Sequence, residues 1–175
     1  MPDAETFDVV RMILDTMAGL RRRRKAEAMA HLDLPGCGDP ADALLRGPGV
    51  LVMTAELPSL VERDGDGSFT GSVTVTNHGP LLTGVSSPEA DVFVVQAGEV
   101  VSTPLAQDLI ARPIALETGA SQGIPARGSM LRCTDGDLLP VGSYDVFAVL
   151  VIHVDDGSQT VTSGGPWSIR VGDGS

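Results

Sequence analysis

The string GASQG at residues 119–123 has the Gly-x-Ser-x-Gly spacing of a hydrolase nucleophile. A serine in that role needs a strand before it and a helix after it. Pro125 follows closely and is incompatible with a regular helix. His153 is the only histidine after Ser121, and its neighbouring acids, Asp155 and Asp156, follow it, so this set does not have the hydrolase order of serine, acid and histidine. We therefore expect Ser121 to be a turn residue and the protein not to be an enzyme.

Metal and cofactor sites are also poorly supported by the residue spacing. The histidines fall in a predicted helix, turn and strand, without a partner at helical spacing or an adjacent thiol: His31, His78 and His153. The string DGDGS at residues 64–68 resembles the start of a calcium loop, but that loop needs a glycine and a bidentate acid where this chain has Phe69 and Val75. No glycine-rich phosphate loop opens a helix. We expect no metal and no cofactor.

The two cysteines, Cys37 and Cys133, lie far apart and do not form a metal site of the Cys-x-x-Cys type. A disulfide between them would close a loop of about 100 residues, worth roughly 4 to 5 kcal/mol on the chain-entropy model. The alternative is two unrelated buried thiols, since free cysteine is among the most buried residues. A disulfide would place the domain in an oxidising compartment.

The net charge of −11 is carried by the chain after residue 36. Residues 1–36 contain six acids and six bases, whereas residues 37–175 contain seventeen acids and six bases. An acidic surface repels phosphate backbones, so we expect no nucleic acid partner for this part of the chain.

Residues 1–34 are predicted to form an amphipathic helix that ends at Pro35. Its apolar stripe has spacings of three and four residues: Phe7, Val10, Ile13 or Leu14, Met17 and Leu20. A basic run follows the stripe: Arg21, Arg22, Arg23, Arg24 and Lys25. Because the cations come after the apolar segment, no signal peptide is expected, and no window reaches transmembrane length.

The basic run has three interpretations. It is a solvated helix face, or a patch for anionic lipid or nucleic acid, although no aromatic residue is interleaved for stacking. In the third interpretation it resembles the cytoplasmic flank of a membrane anchor in envelope proteins, without the span that should follow. A membrane surface is therefore one candidate partner of residues 21–25.

From Gly49 onward the periodicity is that of β-strands. Seven segments are rich in Val, Ile, Thr and aromatic residues: 50–57, 68–77, 91–103, 112–117, 129–133, 143–154 and 167–171. Turn signals such as Asp135-Gly136 separate them. The sequence predicts a mainly β fold, an immunoglobulin-like antiparallel β-sandwich of seven to eight strands, with the helix at its N-terminus. The expected boundaries are helix 1–34, linker 35–45 and sandwich 46–172.

Two aromatic residues are expected to have structural roles. Pro140-x-Gly142-x-Tyr144 leads into a long apolar strand, and a sandwich tyrosine at such a corner donates its hydroxyl to nearby backbone. The alternative is an ordinary half-buried strand tyrosine. Trp167 is expected to fill the core from the last strand, with a ligand platform as the alternative.

Four segments in this order resemble the BsuPI-type intracellular proteinase inhibitors and related bacterial immunoglobulin-like domains: GSVTVTNHG, ADVFVVQAGEVVS, IALETGASQGIPARGSM and LPVGSYDVFAVLV. The resemblance spans residues 69–152. The inhibitors usually carry an aromatic segment where this chain has Val101-Ser102-Thr103-Pro104, and an intracellular inhibitor has no use for a cysteine pair. The cysteines resemble those of exported envelope sandwiches with a Pro-x-Cys-Gly opening.

We therefore expect a non-catalytic binding or accessory domain of the bacterial cell envelope, which presents loops or a sheet face to a protein partner. The resemblance implies a second function, a proteinase inhibitor that presents an exposed loop such as residues 102–112 to a protease. A membrane-associated regulator that uses the basic helix is the third. The cytoplasm is the alternative location if the cysteines are reduced.

Overall fold

The structure, a computed structural model, describes residues 34–45, 49–63, 66–108 and 110–173. They form ten strands: β1 (Leu51–Glu56), β2 (Leu60–Glu62), β3 (Ser68–Asn77), β4 (Leu82–Ser86), β5 (Ala90–Gln96), β6 (Glu99–Ser102), β7 (Arg112–Leu116), β8 (Ser121–Ser129), β9 (Gly142–Val154) and β10 (Gln159–Gly172). A short 3₁₀ helix at Ala41–Leu44 precedes them. Within the described residues, no helix is long and apolar enough to cross a membrane.

The strands form one curled, mixed sheet, a half-barrel, in the order β1-β3-β8-β5-β9-β10-β2. β4 pairs with both β7 and β9, and β6 extends the sheet beside β5. Most pairs are antiparallel, but β5 runs parallel to β8 at Ala90–Asp91, and β2 runs parallel to the end of β10.

The prediction of a mainly β fold is confirmed, with differences in detail. The predicted strand at 129–133 is wrong, because β8 occupies residues 121–129 and the following chain turns toward the disulfide. β2, β4 and residues 121–128 of β8 were not predicted as strands, and the described residues form ten strands rather than the expected seven to eight. The expectation of purely antiparallel pairing is also wrong, as β2 and β5 each make a parallel pair.

The inner face of the curled sheet holds the main core. β5 and β9 contribute alternate residues to it, including Val92 and Val94 from β5 and Val146 and Leu150 from β9. All four are buried. Alternation of this kind is what a strand with one face on the core requires.

β5 and β9 are also apolar on the outer face, where the intervening residues Phe93, Val95, Phe147 and Val149 are buried as well. Phe93 lies opposite Phe147 in the register of the two strands. A sheet with one wet face would carry polar residues here. The outer face is therefore covered.

The cover is residues 34–45, which we name the strap. At one end, Gly38 N–H donates to Val100 O of β6 at 2.8 Å, and Ala41 N–H donates to Gly98 O at 2.8 Å. At the other end, Ser163 Oγ of β10 donates to Leu44 O at 2.8 Å. The strap therefore runs from β6 to β10, across β5 and β9, and its Leu44 is buried.

Candidate binding surface

Ser121 is the first residue of β8 and is exposed. Its Oγ lies 2.8 Å from Thr76 Oγ1 of β3, and a strand rather than a helix follows it. His153 lies on β9, opposite Val85 of β4 and Gln159 of β10. The local context of a nucleophile elbow is therefore missing around Ser121.

Asp66 and Asp156 each cap a turn. Asp66 accepts hydrogen bonds from Ser68 N and Oγ, which hold the pKa of its carboxyl below the usual range. Asp156 accepts from Ser158 N, and hydrogen bonding to Ser158 lowers its pKa as well. Among the residues that the structure describes, no group of three or more His, Cys, Asp or Glu side chains is placed to hold a metal ion.

Cys37 and Cys133 form a disulfide, with an S–S distance of 2.04 Å and a Cα–Cα distance of 5.7 Å. It joins the strap to the chain after β8. Cys133 N–H donates to Val101 O at 3.0 Å, so the bridge lies beside β6. The prediction of this disulfide is confirmed.

The tyrosine and the tryptophan both belong to the sheet. Tyr144 is buried at the start of β9, and its hydroxyl donates to Pro140 O at 2.8 Å. Burial raises the pKa of Tyr144. Trp167 on β10 is half-buried and packs against the main core. Its ring lies so close to Gly164 that a Cβ added there would meet Trp167 Cη2 at 2.6 Å.

The basic run, Arg21 to Arg24 and Lys25, lies outside the described residues, as does the predicted helix. The patch proposed for a membrane or anion therefore stays a prediction.

A candidate binding surface lies at the corner where β5 leaves β8 and begins to pair with β9. A shallow cavity of about 140 Å³ is found there. We name this region the corner surface, defined by Pro88, Glu89, Gln107, Asp108, Ile110 and Arg127. It combines the turn before β5, the loop between β6 and β7, and β8.

Gln107 fixes the loop to the turn before β5. Its Oε1 accepts from Glu89 N at 3.0 Å, and its Nε2 donates to Asp91 Oδ1 at 2.7 Å. Arg112, at the far end of the loop, donates from Nε to Pro88 O at 3.0 Å. Between these two anchors Ile110 is 69% exposed. The loop therefore presents an apolar side chain from a fixed base.

The charges beneath the loop are partly desolvated. Burial raises the pKa of Asp91, and the hydrogen bond from Gln107 opposes that shift. Arg127 Nε lies 3.5 Å from Glu89 Oε2 but makes no hydrogen bond, although it is shielded from solvent. An ion pair at a partly exposed position contributes little to the free energy of unfolding. The pair of Arg127 and Glu89 therefore positions side chains of the corner surface more than it stabilises the fold.

Two further cavities are present in the described residues. One, of about 450 Å³, lies between β1 and β10, beside Val50, Val52 and Trp167, and no charged side chain lines it. The other, of about 600 Å³, lies near Arg63 and Arg132. Arg132 is already paired with Asp135 at 2.8 Å and with Asp137 at 3.5 Å.

The sequence indicated a loop between β6 and β7 but not the hydrogen bonds that hold its two ends. The suggested contact segment, residues 102–112, contains Gln107 and Ile110, but nothing in the sequence connects Gln107 to Glu89 and Asp91. The connection depends on the short parallel pairing that sets Asp91 opposite Arg127. No local pattern in a single sequence predicts that register.

No family model matches the sequence, and no curated protein matches it. Among solved structures, the fold is similar to that of the ApaA protein from Bordetella pertussis, at 13% identity and a TM-score of 0.46, with 69% of this chain and 93% of that chain covered. The sporulation control protein Spo0M from Bacillus subtilis matches at 14% identity and a TM-score of 0.38, with 71% and 50% covered. A β-glucosidase from Listeria innocua matches at 15% identity and a TM-score of 0.38, with 70% and 16% covered. At these scores the similarities carry no conclusion about activity.

Proposed function

We propose that the protein is a non-catalytic, immunoglobulin-like binding domain that holds a protein partner through the corner surface. The observation that carries the proposal is the anchoring of an exposed loop: Gln107 and Arg112 fix its two ends, and Ile110 stands out between them. A fixed loop loses less conformational entropy on binding than a free one, which favours affinity. An exposed apolar side chain inside a polar rim is typical of an interface anchor.

The disulfide supports a place for this domain in an oxidising compartment, such as the cell envelope. A protein partner also suits the surroundings of the loop. Glu89, Asp108 and Arg127 supply charges of both signs around Ile110, as expected of a polar rim rather than of a pocket for a small molecule.

The test compares two substitutions in the full chain. Ile110→Asp places a charge on the corner surface, whereas Leu81→Asp places one on a leucine that is 63% exposed elsewhere. Proteins captured by the wild type are identified by mass spectrometry. We expect Ile110→Asp to lose a discrete partner that Leu81→Asp retains. Equal capture by the two variants would contradict the proposal, and so would turnover of hydrolase substrates by the wild type.

A second function, inhibition of a proteinase, is favoured by the same loop. An inhibitory loop is held at both ends and presents one side chain to the enzyme, and Ile110 is in that position. The resemblance of residues 69–152 to the BsuPI-type inhibitors adds support. If the protein is an inhibitor, a stoichiometric amount slows a serine proteinase and stays uncleaved. The substitution Ile110→Asp then abolishes the inhibition. A panel of serine proteinases that all run at full rate would rule it out.

A further inference from the structure

The strap covers apolar side chains that belong to neither the main core nor the corner surface. Phe93, Val95, Phe147 and Val149 are buried on the outer face of β5 and β9. Val100, which lies opposite Val95 in the β5–β6 hairpin, is buried beside them. If the strap moved away, this face would be an exposed apolar patch, of the kind that marks an interaction site.

The strap is held by hydrogen bonds at both ends and by three buried residues, Pro35, Ala41 and Leu44. Along β6 it makes three backbone hydrogen bonds: Gly38 N to Val100 O, Val100 N to Asp39 O, and Ala41 N to Gly98 O. At its far end it has the hydrogen bond from Ser163 and the buried side chain of Leu44. Residues Gly36 to Pro40 are exposed, so water competes for their hydrogen bonds. Exposed backbone hydrogen bonds are a feature of segments that open locally.

The covalent link lies at the most exposed part of the strap. Cys37 is exposed and Cys133 is half-buried, so a soluble thiolate has a path to the bond. The bond also lies next in sequence to Gly38 and Asp39, which make hydrogen bonds to β6.

We propose that the Cys37–Cys133 disulfide is a redox latch that holds the strap over the outer face of β5 and β9. A dithiol reductant opens the latch: one of its thiolates attacks a disulfide sulfur, the S–S bond breaks, and a mixed disulfide forms. The second thiolate of the reductant then attacks the reductant's own sulfur in the mixed disulfide, that S–S bond breaks, and the remaining cysteine leaves as a thiolate. Two electrons and two protons pass to the protein, Cys37 and Cys133 end as thiols, and the reductant ends as its cyclic disulfide.

The oxidised and reduced proteins then differ locally. In the oxidised chain the strap lies on β6 and the outer face is covered. In the reduced chain the strap leaves β6, while the inner core keeps its packing. This proposal concerns a different face from the corner surface and does not rest on the proposed function.

The test measures amide hydrogen exchange in the full-length oxidised protein and after reduction with dithiothreitol. Strap reporters are the amides of Gly38, Ala41 and Val100, and core reporters are those of Val73 and Val75 on β3, which is paired on both sides. We expect the ratio of strap to core exchange rates to rise at least tenfold on reduction. An apolar dye should gain fluorescence under the same conditions.

The double variant Cys37→Ser, Cys133→Ser provides the control for the reductant. It should show the high ratio without dithiothreitol and no further change with it. If strap and core rates rise together on reduction, the disulfide stabilises the whole domain and is not a latch. If the ratio is unchanged, the strap stays closed without the bond, and the proposal is also overturned.

Discussion

Three side chains show how single residues set the local structure. The Tyr144 hydroxyl donates a hydrogen bond that joins the turn before β9 to the strand. Gln107 joins the loop between β6 and β7 to β5 by donating to Asp91, which is half-buried. The Pro-x-Gly-x-Tyr pattern was sufficient to place the tyrosine at the entrance of a long strand, because its partner is only four residues away. Gln107 could not be placed in this way, because its two partners come from another segment of the chain.

The Tyr144 hydroxyl can be tested without disturbing the ring. Tyr144→Phe removes the donor to Pro140 O, a hydrogen bond in a largely buried site. We expect the free energy of unfolding to fall by about 1 kcal/mol, the usual net value of such a bond. Urea unfolding of the two proteins measures the difference. An unchanged midpoint and slope would mean that the hydroxyl contributes nothing to stability.

Asp91 predicts a specific pH dependence. Burial raises the pKa of Asp91 in the folded state above its ordinary value, so folding favours the protonated acid. Its contribution to stability is fully present below the unfolded pKa and is lost as the pH rises through the folded pKa. Asparagine does not ionise, so Asp91→Asn does not lose this stability as the pH rises. Its side-chain oxygen can still accept the hydrogen bond from Gln107. The variant should therefore gain stability relative to the wild type as the pH rises, up to a plateau.

The measurement is the difference in unfolding free energy between Asp91→Asn and the wild type, followed from acid to neutral pH. Asp66 and Asp156 act in the opposite sense, since their pKa values are lowered and their contribution is lost as the pH falls. They are common to both proteins and cancel in the difference. A difference that does not vary with pH, or that falls as the pH rises, would contradict the account.

Among the elements, β9 has the widest influence on the fold. It pairs with β5, β10 and β4, and it carries apolar residues on both faces. The sequence predicted a long apolar strand after Pro140, and β9 is that strand. The reason for its second apolar face was not visible from the sequence, because the strap that covers it is short and has no periodicity.

The junction of β4 with β7 and β9 depends on Gly84. This glycine lies opposite Ile114 of β7 and Val154 of β9, and an added Cβ would collide with the backbone carbonyl of His153. Backbone cannot move aside as a flexible side chain can. Gly84→Ala should therefore destabilise the protein by about 1 to 3 kcal/mol, the usual cost of overpacking.

Gly123 provides the matched control, since it lies in β8 and an added Cβ would meet no atom within 4 Å. Gly123→Ala should be neutral or slightly stabilising, because alanine has less conformational entropy to lose than glycine. The denaturant midpoints of Gly84→Ala and Gly123→Ala, compared with that of the wild type, measure the two changes in stability. If both variants were destabilised equally, the close approach of Gly84 to the His153 carbonyl would not be the cause of the destabilisation.

At the scale of the whole molecule, composition and periodicity were enough to predict a mainly β domain, because strand alternation is a local property. The curl of the sheet, its mixed pairing and the arrangement of its strands depend on contacts between distant segments. The disulfide could be predicted from the sequence only in part. Two distant cysteines suggested it, yet only the fold shows that it joins the strap to the chain after β8, beside β6.

The central claim is that a partner protein meets this domain at the corner surface. The most direct measurement places a photocrosslinking amino acid at position 110 in the full chain, in its own cells, with the same residue at position 81 as control. We expect a discrete adduct with another protein from position 110, reduced when Gln107→Ala releases the loop, and none from position 81. No adduct from position 110, or equal adducts from both positions, would contradict the account.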